Sequence, residues 1–135
     1  MRKYVFYIFL LVGIVLIFYL SWVPDASMAK AIKLPTWLTD WADDSENETI
    51  RTGVPFLGLG LLIGFHLRHR NTSFRGWSLS LLLLTIVGVL SELGQMFLPF
   101  RYSDYRDVLW AFYGSLAGLF FGHILWEMFN RITKK

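Results

Sequence analysis

The chain has 135 residues, 55% of them hydrophobic, 18% aromatic and 17% charged, with a mean hydropathy of +0.47. A soluble domain of this size does not bury that much apolar surface, whereas a bilayer accepts it. A formal charge of +3 is too small to argue for nucleic acid, and the absence of cysteine excludes disulfides, thiol catalysis and cysteine-held metals.

Tyr4 to Val23 is an uncharged run of about 20 residues. At about 1.5 Å per residue it crosses a hydrocarbon core about 30 Å thick. Arg2 and Lys3 ahead of it resemble the start of a signal peptide. The run is long for that role, and Phe18-Tyr19-Leu20-Ser21-Trp22 offers no small-residue cleavage site, so a retained helix is expected.

Between Pro24 and Ile50, Leu34, Trp37, Leu38 and Trp41 recur at helical spacing, and Pro35 suits a first helical turn. The expectation is a short helix on the outer leaflet, its tryptophans at headgroup depth. Asp40 to Glu48 lack the alternating oxygen ligands and central glycine of a calcium loop, so they read as a solvated acidic loop. His66, His69 and His123 are scattered and make no metal centre; neither a metal nor another cofactor is expected.

The next apolar run, Gly53 to Leu67, is short and interrupted by Gly58, Gly60 and Gly64. It spans if Ile50 to Thr52 are added, and a re-entrant segment is the alternative. Trp77 to Leu98 and Asp107 to Phe129 are each long enough to cross. The expected fold class is all-α: a polytopic membrane protein, a four-helix transmembrane bundle with a short outer interfacial helix. The spans fall at about 4–23, 50–67, 77–98 and 107–129 in one domain, 1–135.

Charge then orients the bundle. One side receives eight basic residues, Arg2, Lys3, Arg68, Arg70, Arg75, Arg131, Lys134 and Lys135. The other receives five, Lys30, Lys33, Arg51, Arg101 and Arg106, together with most of the acids. Basic loops stay cytoplasmic, so both termini are expected inside.

Ionisable groups at membrane depth are costly and tend to face a protein interior or a wet cavity. Glu92 lies about six residues, or roughly 9 Å, below the outer end of its helix. Gly88, Glu92 and Gln95 share one face of that helix. Asp107, Ala111, Gly114, Gly118 and Gly122 share one face of the next. Small residues four apart let backbones approach closely. If these two faces meet, Glu92, Gln95 and Asp107 converge on one outer pocket. The segment 99–106 closes that pocket, and Arg101 and Arg106 are in reach of either carboxylate. Arg51, just before the second span, is in reach of the same region. The plainer reading is a salt-bridge network that orders a tight turn, with Asp107 also complementing the helix dipole.

The run Glu92-Leu-Gly-Gln95-Met-Phe97-Leu-Pro99-Phe-Arg101-Tyr-Ser103-Asp-Tyr-Arg-Asp107, continued by Gly114 and Gly118, resembles the signature of VanZ-like membrane proteins. Two positions depart from that pattern. Ala111 stands where the family usually has asparagine, and Pro55 stands where it commonly has histidine. The resemblance implies a protein of a bacterial plasma membrane, linked to the cell envelope and to tolerance of glycopeptides of the teicoplanin type. It supplies no reaction.

Three functions are open. The first is an envelope accessory protein whose outward pocket holds an anionic lipid or lipid-linked cell-wall precursor on Arg101, assisted by Arg106 or Arg51, with Glu92, Gln95 and Asp107 positioning these arginines and Ser103 in the same pocket. The second is a membrane-embedded enzyme acting on such lipids, with Glu92 or Asp107 as acid or base. No complete catalytic constellation is visible. The third is a scaffolding subunit that presents the Gly114/Gly118/Gly122 face to another membrane protein or to a second copy.

Overall fold

The computed structural model describes residues 3–24, 27–31, 33–99 and 101–134. Arg2 and Lys135, counted above among the basic residues of one side, lie outside the described residues, as does Phe100. Among the described residues six helices follow in order: α1 (Lys3–Trp22), α2 (Met28–Ala31), α3 (Thr36–Asp43), α4 (Ile50–His69), α5 (Phe74–Gln95) and α6 (Tyr105–Thr133). Helices α1, α4, α5 and α6 are long and apolar enough to cross a membrane.

Local chemistry sets the boundaries. The helix α1 stops at Trp22, just before Val23-Pro24, because a residue preceding proline is driven out of helical geometry. The turn from α4 to α5 passes through Asn71 at φ 48°, a left-handed conformation that asparagine tolerates. Asp104 caps α6, its carboxylate accepting from the Arg106 N–H at 2.9 Å. At 20 to 29 residues the four long helices measure roughly 30 to 44 Å, so α6 outreaches a hydrocarbon core.

The run from Ile50 to His69 is one continuous helix through Pro55 and its glycines, so no re-entrant break occurs. The third span starts earlier than expected, at Phe74, and ends at Gln95, leaving Leu98 in the connection.

The glycine faces pair differently from the sequence expectation. The row Gly114, Gly118 and Gly122 packs on α4, not on α5. A Cβ added at Gly114 would meet the Gly53 carbonyl, at Gly118 the Leu57 carbonyl, and at Gly122 the Leu61 carbonyl. From the other side, Gly60 faces the Ser115 carbonyl and Gly64 the Leu119 carbonyl. The helices α4 and α6 form the most extensive pair in the fold. In lipid, where apolar burial gives little drive, such close approach supplies the dispersion contacts that hold helices together. A scaffolding partner would therefore need a different face, since this one is occupied within the chain.

Gly88 is the glycine that does bring α5 onto α6. It meets the Ala111 Cβ and the Phe56 ring, and both of those side chains are buried. Around them Leu59, Ile63, Leu84, Leu119, Phe6 and Ile17 complete the core. The helix α1 is fastened near its C-terminal end, where the Trp22 indole lies on Gly94 and donates to the Ser91 carbonyl at 3.2 Å. At the opposite end of the bundle Arg68 bridges α4 to Glu127 of α6.

The segment between α1 and α4 is more ordered than a solvated loop. Asp43 accepts from the N–H groups of Met28 (2.6 Å) and Ala29 (3.2 Å) and from the Ser27 hydroxyl (2.9 Å), so it caps α2 from a distance. Thr39 and Ala42 form the buried face of α3, while Trp37 and Trp41 are left uncovered by protein. Among the described residues, no group of three metal-capable side chains occurs.

Partial burial raises the Asp43 pKa. The hydrogen bonds from Met28, Ala29 and Ser27, and the charge of Arg51, outweigh it and hold the carboxyl below its usual value. A depressed folded value means the contribution is present above the unfolded pKa and lost as pH falls through the folded one. The α2–α3 contact is thus expected to loosen below about pH 4, and Asp43→Asn should loosen it at neutral pH. Hydrogen exchange at the Met28 and Ala29 amides reads both effects. Exchange there that ignores pH and the substitution would refute the cap.

Candidate functional site

All four long helices bring an end to one place. The Thr52 hydroxyl, one turn into α4, donates to Asp107 Oδ1 at 3.2 Å in the first turn of α6. In the last turn of α5, Gln95 Nε2 donates to Glu92 Oε1 at 3.1 Å, and the Asp104 N–H donates to Glu92 Oε2 at 3.1 Å. Glu92 and Gln95 are 4% and 6% exposed, so this carboxylate is enclosed and has partners on both oxygens. It ties the connection 96–104 to the helix that precedes it.

Beside these groups is a cavity of about 150 Å³. Its polar lining includes Glu48, Arg51, Thr52, Gln95, Arg101 and Asp107. Ile17, Leu20, Pro55 and Phe56 supply apolar wall. Glu92 is not on that wall; it lies behind it, close enough to act electrostatically with Asp107 and Arg101. Ser103 is exposed and contacts Glu92 rather than the cavity.

Neither arginine pairs with Glu92 or Asp107 as the sequence led one to expect. Arg101 Nε donates to the Val23 carbonyl at 3.0 Å, and its Nη2 donates to the Leu20 carbonyl at 2.8 Å. It thereby satisfies carbonyls that the end of α1 leaves without helical partners, a position where the dipole also favours a cation. Arg106 is exposed beside Tyr105 and Asp104. Arg51 Nη1 donates to the Ala42 carbonyl at 2.7 Å and lies 3.5 Å from Asp43.

Each guanidinium keeps N–H groups unused. The arginine fork has five donors. Arg101 Nη1 and Arg51 Nη2 have no hydrogen-bond partner among the described residues. Burial, and then the charge of neighbouring Arg51, pull the Arg101 pKa below its usual value. An arginine does not give up its proton in a protein, so Arg101 remains a cation here, and Glu92, Glu48 and Asp107 act against that pull.

Four residues named from the sequence therefore meet at the cavity: Arg51, Gln95, Arg101 and Asp107. Glu92 and Ser103 support the loop beside it. Thr52 and Glu48 are additions. Thr52 adjoins Arg51 in sequence, which was a usable signal, whereas Glu48 had been assigned to a solvated loop. Of the two departures from the family pattern, Pro55 stands on the cavity wall, where it offers neither an N–H nor an ionisable side chain. Ala111 is fully buried against Gly88 and away from the cavity.

The fold and this site define a small polytopic helical membrane protein with a charged cavity at one end of its bundle. The VanZ/LLP1 family profile matches residues 4–126, and the chain belongs to that family. No curated protein and no solved structure matches it.

Proposed function

We propose that this protein is an envelope accessory protein of a bacterial plasma membrane. Its cavity faces outward and receives the phosphate or carboxylate of an anionic lipid or a lipid-linked cell-wall precursor. The observation that carries this reading is the pair Arg51 and Arg101 on one cavity wall, each with donors the protein does not use. A guanidinium fork matches the oxygens of such groups and strengthens when sheltered from water.

Size narrows the occupant. A cavity of about 150 Å³ is smaller than the roughly 300 Å³ and upward that encloses a drug-sized molecule. It admits a head group, with chains or sugars remaining outside. An effect on glycopeptide tolerance then runs through the lipid, not through the antibiotic seated in the protein. Orientation rests on charge, because Arg68, Arg70, Arg75, Arg131 and Lys134 gather at the opposite end and basic ends stay cytoplasmic.

Mass spectrometry of lipids retained by the gently purified protein tests the reading. Arg51→Gln and Arg101→Gln are each expected to lower the retained phosphate-bearing lipid about tenfold, the loss of one charge-assisted hydrogen bond. Circular dichroism should show both variants still helical. Equal retention by all three proteins sinks the proposal.

A further inference from the structure

If the cavity holds a lipid phosphate on Arg51 and Arg101, as proposed above, its lining favours a head group of zero net charge over the anionic lipid named there. Arg51 and Arg101 share the lining with two carboxylates, Asp107 and Glu48, so the cavity offers two charges of each sign. Glu48 acts electrostatically on both Arg101 and Asp107. A bare anion drawn between the arginines is repelled by these neighbours, and a bare cation is repelled by the arginines. An occupant carrying both signs meets neither penalty.

The unused hydrogen-bonding groups point the same way. Glu48 makes no hydrogen bond or ion pair among the described residues, and Asp107 engages only Oδ1, through Thr52. No fully buried side-chain oxygen or nitrogen lacks a partner among the described residues. The free Asp107 oxygen is therefore not sealed inside the protein, Glu48 is exposed, and both residues line the cavity. Unused donors and unused acceptors in one lining suit a phosphate carried beside an N–H-bearing cation.

Depth identifies the source. The polar lining comes from the ends of the spans and the connections beside them: Ser21 is in the last turn of α1, Arg51 and Thr52 are in the first turn of α4, Gln95 closes α5, Asp107 is in the first turn of α6, and Glu48 and Arg101 adjoin α4 and α6. Trp22 and Trp37 stand at that same end, and such aromatics mark the headgroup layer. Phosphates and head-group amines of the surrounding lipid lie at this level.

We infer that the cavity selects a zwitterionic head group from the bilayer, its phosphate against Arg51 and Arg101 and its primary ammonium against Asp107 and Glu48. Phosphatidylethanolamine has that chemistry. Phosphatidylglycerol has no amine, and phosphatidylcholine has an ammonium without N–H groups.

The test is native mass spectrometry of the full chain in mild detergent, offered the three lipids in equal amounts with matched acyl chains. Phosphatidylethanolamine is expected to be retained about tenfold over the other two, the worth of one charge-assisted hydrogen bond. Glu48→Gln, at an exposed residue, should bring phosphatidylglycerol up to the same level. Retention of phosphatidylglycerol at or above phosphatidylethanolamine by the wild type, still reduced by Arg51→Gln, overturns this inference and leaves the anion cavity standing. Retention that ignores Arg51→Gln and Arg101→Gln overturns both. A preference for phosphatidylethanolamine that survives Glu48→Gln and Asp107→Asn overturns the assignment of the amine to these carboxylates.

Discussion

Gly118→Leu is expected to keep α4 and α6 apart and so to remove the folded bundle. A Cβ at that position falls on the Leu57 carbonyl, with Leu61 N at 2.8 Å and Gly60 Cα at 2.9 Å. All three are backbone atoms of a helix, and none can turn aside as a side-chain tip would. Overpacking a core typically costs about 1–3 kcal/mol, and here relief requires moving a whole helix, so about 3 kcal/mol or more is expected. The lipid offers no compensating penalty for separated apolar helices. Gly58→Leu is the matched control on α4. Nothing lies within 4 Å of a Cβ there, so the change should be neutral or stabilising by up to about 1 kcal/mol through helix propensity. Thermal stability by size-exclusion chromatography in mild detergent separates the two. A Gly118→Leu protein that melts like wild type would refute the α4–α6 pairing.

The second large effect is expected at Glu92. In Glu92→Leu the Asp104 N–H and the Gln95 amide each lose their acceptor in a site sheltered from water. A buried polar group left without a partner costs about 1–3 kcal/mol, so the pair amounts to roughly 3 kcal/mol, concentrated on the connection 96–104. Faster proteolysis or hydrogen exchange in that segment is the readout. Glu92→Gln keeps an oxygen for the Asp104 N–H and should stay close to wild type. If Glu92→Gln loosened the loop as much as Glu92→Leu, the carboxylate would matter through its charge and not as an acceptor.

Much of this architecture was legible before any coordinates. A bilayer forces backbone groups to bond within the segment, so long apolar runs had to be helices. The tryptophan spacing likewise marked α3. Glu92, Gln95 and Asp107 stood out because polar groups in apolar runs need company. What periodicity cannot say is which neighbour a face meets. Gly114, Gly118 and Gly122 were correctly grouped on one face but assigned to α5, because α5 is the adjacent span and carries Gly88. The true counterpart was visible in α4, where Gly53, Gly60 and Gly64 fall on one face at steps of seven and four. Gly60 and Gly64 had been read as interruptions, and Gly53 as the start of the run. The acceptors of Arg101 were beyond reach for a different reason. They are main-chain carbonyls of Leu20 and Val23, and a main-chain carbonyl has no sequence signature.

The glycine contact between α4 and α6 also sets an order of assembly. These helices are separated in the chain by all of α5, so α4 must enter the lipid before its mate exists. During that interval its grooved surface is lined by acyl chains. The final docking step displaces those chains. A nascent chain truncated after Gln95 should accordingly be inserted with the glycine groove of α4 unfilled.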